Sequence, residues 1–205
     1  MSTAELLAAF TALFVVIDPI GLTPIFVALT RGMPDRDRRL LGLRATLIAA
    51  LLLLLFAVFG EALLGAVGIG MPAFRIAGGV LLFLTALDML FERRRARRED
   101  TAEEDPSDDP SVFPLAIPLI AGPGAIATII LLAGRAEGPA EFASVLGVTA
   151  AVLAIVLLLF LAAGPIERAL GKTGVNVVTR LLGMLLAALS VQFILDGLRD
   201  FGLAG

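Results

Sequence analysis

Six apolar runs, each long enough to cross a bilayer, dominate the 205 residues and exclude most soluble architectures. They lie at roughly 5–28, 43–64, 73–91, 112–134, 142–164 and 175–197. About 20 consecutive apolar residues suffice to span a hydrocarbon core ~30 Å thick. Hydrophobic residues make up 59% of the chain, against about 45–50% in soluble domains. The expected fold is an all-α, polytopic membrane protein with six transmembrane helices, and its first partner is the lipid bilayer. The first run is preceded by Glu5 and by no Lys or Arg, so it reads as a retained helix; a signal peptide opens with positive charge.

Composition removes several chemistries. The chain has no cysteine and no histidine, which excludes disulfides, Cys/His zinc sites, Ser-His pairs and histidine proton relays. With tryptophan and tyrosine also absent, an interfacial aromatic belt has to be phenylalanine. Gly171-Lys172-Thr173 mimics the end of a P-loop, but Ile166 stands where the motif requires glycine. Asp18 has no second carboxylate at its depth to form an aspartyl pair. An enzyme is therefore not expected. Nor is a catalytic residue, a bound metal, a cofactor or a nucleic-acid partner; a coupling ion, H+ or Na+, is the one accessory the reading allows.

Charge divides the chain and orients it. Residues 92–111, ERRRARREDTAEEDPSDDPS, hold five arginines against eight carboxylates; so dense a run reads as a solvated linker. It separates residues 1–91 from residues 112–205. Arg31, Arg36, Arg38 and Arg39 follow the first run, the linker follows the third, and Arg168 and Lys172 follow the fifth. The positive-inside rule puts loops 30–42, 92–111 and 165–174 in the cytoplasm and both termini outside.

The two halves share a pattern. Arg75, Gly78, Leu81, Leu84 and Thr85 match Arg180, Gly183, Leu186, Leu189 and Ser190 in type and spacing. Pro19 precedes Arg75 by 56 residues, and Pro123 precedes Arg180 by 57. Three spans per half is an odd number, so the halves must run in opposite directions: an inverted repeat, as in many secondary transporters.

Each half also opens on a damaged helix. VVIDPIGLTPIF places Asp18 near mid-bilayer, at a cost of roughly 2.5–3.5 kcal/mol for the carboxylate and about 3 more for an interior proline. Pro118 and Gly122-Pro123-Gly124 do the same in the fourth span. Read locally, Asp18-Pro19 is a helix start, with Asp as N-cap and Pro at N1. Gly122-Pro123 is a weaker version without a side-chain acceptor. Helices 1 and 4 should then be interrupted, each presenting a half-helix N-terminus whose free N–H groups and dipole suit an anion. Such backbone is tolerated at that depth only inside protein or along a polar cavity. Asp18 supplies a negative charge where its mate is Gly122, and that asymmetry suits a zwitterion, with the ammonium at Asp18 and the carboxylate after Gly122 and Gly124. The candidate substrate-binding set is Asp18, Pro19, Gly21, Thr23, Gly122, Pro123, Gly124 and Thr128. Arg75, Thr85, Arg180 and Ser190 form a candidate gate, since Arg, Gly at +3 and Thr/Ser at +10 fall within about 80° of arc. Surface snorkelling is the plainer reading of the two arginines. Asp88, Gln192 and Asp196 lie off that arc, as weaker candidates for coupling-ion or packing roles.

DPIGLTPIF and PLAIPLIAGPGAIAT together resemble the MarC family of bacterial inner-membrane proteins, also called the neutral amino acid transporter (NAAT) family with its SnatA members. The likeness covers essentially the whole chain. It carries Asp18, Pro19, Gly21 and Pro24 over from the first motif and Pro118, Gly122, Pro123 and Gly124 from the second. It implies an inner-membrane location and transport of small neutral amino acids such as glycine and alanine. The alternatives are a non-transporting membrane scaffold or sensor subunit, and an exporter of another small metabolite.

Overall fold

The computed structural model describes residues 1–91 and 109–203. Its regular elements in that range are all helices: α1 (Thr3–Ile17), α2 (Pro19–Leu29), α3 (Asp35–Ala66), α4 (Met71–Leu90), α5 (Pro123–Ala133), α6 (Pro139–Leu161) and α7 (Ala163–Asp200), with an irregular helical segment Ser111–Ile120 before α5. Five helical stretches are long and apolar enough to cross a membrane, with α1 and α2 taken together as Thr3–Leu29; the bent pair Ser111–Ile120 and Pro123–Ala133 makes a sixth. Most of the acidic linker, residues 92–108, lies outside the described residues.

Burial sorts the spans into a core and a wrapping. In its most apolar window the first span is 61% buried, whereas α3, α4, α6 and Thr173–Asp200 are 28–33% buried. The second interrupted span is also mostly interior, with Leu115, Ala116, Ile120, Ala125, Ala127 and Thr128–Leu131 buried. Most of both broken spans is thus enclosed by the unbroken ones, as backbone with unpaired polar groups favours in lipid. The wrapping helices turn large apolar residues outward, among them Leu47, Leu51, Leu54 and Val58 on α3 and Leu181, Met184, Leu185 and Leu195 on α7. A continuous belt of that kind faces acyl chains.

The helix starts follow the sequence closely. Ser2 and Glu5 form a reciprocal capping box on α1. Pro19, Pro72, Pro123 and Pro139 each stand in the first turn of a helix, where the missing N–H costs nothing.

The closest helix pairing joins α4 to α7 through glycine. A Cβ on Gly79 would lie 2.8 Å from the Ser190 carbonyl oxygen, one on Gly183 would lie 2.9 Å from Met89 Cβ, and one on Gly197 would lie 3.0 Å from the Pro72 carbonyl oxygen. As α4 advances from Pro72 to Met89, its partners on α7 retreat from Gly197 to Gly183, so the two helices are antiparallel. Small residues allow this approach, and dispersion between close backbones supplies the attraction.

Three expectations need correction. Residues 30–42 are not all loop: the connection is short, with Gly32 in the left-handed region (φ 81°), and α3 begins at Asp35. Asp35 and Asp37 complement the dipole of its first turn, so the helix continues through residues too charged to register as a span. Residues 165–174 are likewise mostly helical, within α7, and are interrupted at Gly171 (φ 60°). The first half of the fourth span is not a regular helix. Phe113 and Ile117 have extended dihedrals (φ −126°, ψ near 125°), which the following Pro114 and Pro118 impose on them; both X-Pro bonds are cis.

Candidate functional site

The first break occupies a single residue. Asp18 (φ 57°, ψ 64°) is both the C-cap of α1 and the N-cap of α2, and among the described residues it is the one non-glycine at positive φ. Aspartate is one of few residues that tolerate this region. Its N–H still closes α1 by donating to the Phe14 carbonyl at 2.9 Å, and its carbonyl accepts from Leu22 at 3.0 Å, opening α2. The carboxylate accepts from the Gly21 N–H at 3.1 Å and is buried, 1% exposed. Gly21 has to be glycine for this to happen. A Cβ there would overlap the carboxylate oxygen and lie 2.7 Å from Asp18 Cγ. Asp-Pro-x-Gly is therefore one steric unit.

The second break is made by backbone. Gly122 is the N-cap of α5 in extended conformation, without a side-chain bond, and a Cβ on it would lie 2.6 Å from the Pro118 carbonyl oxygen. The chain bends by 59° here. The Ile126 N–H donates to the Gly122 carbonyl at 3.0 Å; the N–H groups of Gly124 and Ala125, one residue or more earlier, have no acceptor within the helix by its geometry.

The two breaks meet. A Cβ on Gly124 would lie 3.1 Å from Val16 Cγ1, 3.4 Å from Leu82 Cδ2 and 3.9 Å from Thr85 Oγ1. The N-terminus of α5 thus packs against α1 two residues before Asp18, and α4 brings Thr85 to the same junction. The junction is closed rather than an open polar chamber: Asp18, Thr23 and Thr128 are all at most 1% exposed. Thr23 Oγ1 donates to the Pro19 carbonyl at 3.0 Å and Thr128 Oγ1 to that of Gly124 at 2.8 Å. Both hydroxyls are held one turn from a break. Pro123, the first residue of α5, is exposed.

The gate candidates are dispersed. Thr85 reaches the junction, but Ser190 is buried in the α4–α7 interface, its hydroxyl on the Ala187 carbonyl at 2.7 Å. Arg75 does not snorkel: it is buried and ion-paired to Asp200, ten residues along α4 from Thr85, or ~15 Å. Arg180 is exposed, toward the other end of the molecule.

Two clusters outside the substrate and gate sets lie toward the ends, the second of them holding the weaker candidates Gln192 and Asp196. On the arginine-rich face Phe26 and Phe160, both buried, stack with centroids 4.2 Å apart and planes 5° from parallel. The Arg38 guanidinium lies 5.5 Å over Phe26, and Gly42 leaves room for the Phe26 ring and the Phe160 Cβ. On the face that carries Met1, Arg135 donates to Asp196 at 2.7 Å, Gln192 donates to the same carboxylate at 2.8 Å, and the guanidinium lies over Phe193. Gln192 and Asp196 thus hold Arg135 in place. Neither cluster has a local signal in sequence, because each is closed by a distant partner: Phe160 stacks on Phe26 from 134 residues away, and Arg135 reaches Asp196 from 61.

A family model described as "MarC family integral membrane protein" matches residues 3–201. The chain is 40% identical over 195 residues to a UPF0056 membrane protein of Archaeoglobus fulgidus, covering 94% of this chain and 92% of the relative. It is 36% identical to the UPF0056 membrane protein YvbG of Bacillus subtilis, over 93% of this chain and 92% of that one. It is 33% identical to YhcE of Escherichia coli, over 93% and 90% respectively. No solved structure matches.

Proposed function

The chain belongs to the MarC family of integral membrane proteins, and from that premise we propose that it is a secondary transporter of small neutral amino acids working by alternating access. The observation that carries the reading is the meeting of two interrupted helices in the protein interior, with Gly124 of one against Val16 of the other. Interrupted spans are costly in lipid and recur where transporters bind their cargo. In this reading the two three-helix halves are inverted repeats, located in the inner (plasma) membrane with the arginine-rich face cytoplasmic and the Met1 face outside. The antiparallel α4–α7 pair supports this, since these are the third spans of each half. Its register does too: under the alignment of Arg75 with Arg180, the approach of Gly183 to Met89 becomes Gly78 against Ile194, next to the observed Gly79–Ile194 contact.

The closed junction is then an occluded resting arrangement, with Asp18 folded onto the N-terminus of α2. Opening exposes that carboxylate to a substrate ammonium and the N-terminus of α5 to a substrate carboxylate. No covalent chemistry is required of the protein, and the driving ion is H+ or Na+. Uptake of labelled glycine and alanine into proteoliposomes, with and without each imposed gradient, tests the reading. Gradient-driven accumulation is expected; binding without flux favours the scaffold or sensor. In the same assay Asp18→Asn is expected to raise the KM for alanine about tenfold while propionate competes as well as before, the loss of one charge-assisted contact. Equal weakening of both ligands would remove the ammonium from Asp18.

A further inference from the structure

A cavity of about 210 Å³ opens on the face that carries Met1, between the starts of α1 and α6 and the ends of α5 and α7. Its floor is apolar, formed by Ala9, Ala12, Leu132 and Phe193. Its lining carries both signs of charge: Arg135, and the carboxylates of Glu5, Glu141 and Asp196. Arg135 carries five N–H donors in a planar fork. Asp196 engages one of its nitrogens, so donors remain for a carboxylate, and the Phe193 ring and Asp196 keep the fork from swinging away. In the same lining, Glu141 already holds a primary ammonium, that of Met1, at 2.6 Å. An alkylammonium therefore fits on this carboxylate.

The floor leads toward the breaks. Ala12 lies one helical turn before Val16, and Leu132 one turn beyond Thr128, about 6 Å along each axis. Val16 and Thr128 border the junction described above.

We propose that this cavity is an entry site for a small zwitterionic amino acid, with the ligand carboxylate on Arg135 and its ammonium replacing that of Met1 on Glu141. The inference rests on the amino-acid reading for its ligand class but concerns a separate place, about 9 Å along α1 from Asp18 and about 15 Å along α5 from Gly122. A short side chain such as that of alanine sits on the alanine-lined floor. Longer side chains meet Leu132 and Phe193.

The cysteine-free sequence makes the test clean. A single thiol is introduced as Ala136→Cys, on the cavity wall, and its reaction with a membrane-impermeant charged thiol reagent is timed in proteoliposomes. Saturating alanine or glycine is expected to slow labelling, while propionate and ethylamine at the same concentration do not. Arg135→Gln and Glu141→Gln are expected to abolish that protection, each variant being compared with its own ligand-free labelling rate. Each should also raise the KM for alanine roughly tenfold, the effect of one lost charge-assisted hydrogen bond. Alanine flux with no protection, or with KM unchanged in both variants, overturns the entry site and leaves the transport reading standing. Protection without flux keeps the site and removes transport. Neither protection nor flux removes both.

Discussion

Gly21→Ala is expected to abolish alanine flux and to lower the stability of the solubilised protein by about 1–3 kcal/mol, the usual cost of overpacking a closed interior. The new methyl group overlaps the Asp18 carboxylate, which has to leave the Gly21 N–H it now accepts from. The displaced carboxylate is buried, so it loses that hydrogen bond without gaining water. A second substitution makes the cause identifiable. Asp18→Gly keeps a residue that adopts the left-handed conformation and removes the carboxylate that the methyl group strikes. The double variant Asp18→Gly/Gly21→Ala is therefore expected to be more stable than the two single effects predict, by about 0.5–3 kcal/mol of coupling. Thermal denaturation of the four proteins in one detergent measures this. Strict additivity would show that Asp18 and Gly21 are not one steric unit.

Gly79→Leu is expected to have a comparable effect through a different element, the antiparallel α4–α7 pair. Even a Cβ at position 79 meets the Ser190 carbonyl oxygen at 2.8 Å and the Ile194 N at 3.2 Å. These are backbone atoms and cannot rotate away. A leucine there has to push the two helices apart along the interface that also seats Gly183 and Gly197. Gly147 is the control: it is exposed on α6 and has no neighbour within 4 Å of a Cβ. Gly147→Ala should leave the melting temperature unchanged or raise it slightly, since alanine has the better helix propensity. A Gly79→Leu protein that melts with the native one would show that the helices do not approach as closely as described.

Much of this architecture is legible in the residues alone. The spans follow from run length, because lipid admits no other backbone than one satisfied within itself. The break at Asp18 follows from residue chemistry, since Asp-Pro is both cap and first turn. The bend at Gly122-Pro123 is equally readable. Phe113-Pro114 and Ile117-Pro118 carry a further signal, which run length hides: two X-Pro steps four residues apart each disfavour helix on the preceding residue. Hydropathy misplaces the start of α3 because Asp35–Arg39 are charged, although charge opposes burial in lipid and not helix formation. Arg75 is beyond local reading altogether. Near a helix start it resembles any snorkelling arginine, and only its meeting with the exposed Asp200, 125 residues away, shows where the buried guanidinium is paired. Arg135 and Asp196 belong to the same class of contact, set by how helices pack rather than by spacing along the chain.

The most direct test locks the two interruptions together. In a disulfide each Cβ lies about 3 Å from the far sulfur, given an S–S bond near 2.05 Å. A Cβ at position 124 lies 3.1 Å from Val16 Cγ1, the atom whose place the sulfur takes in Val16→Cys. The double variant Val16→Cys/Gly124→Cys is made in a chain with no other thiol, reconstituted, and oxidised. The account predicts that the cross-link forms, that glycine and alanine flux stops, and that reduction restores it. A cross-link that forms fully while flux continues at its reduced rate would show that substrate does not pass by separation of the two breaks.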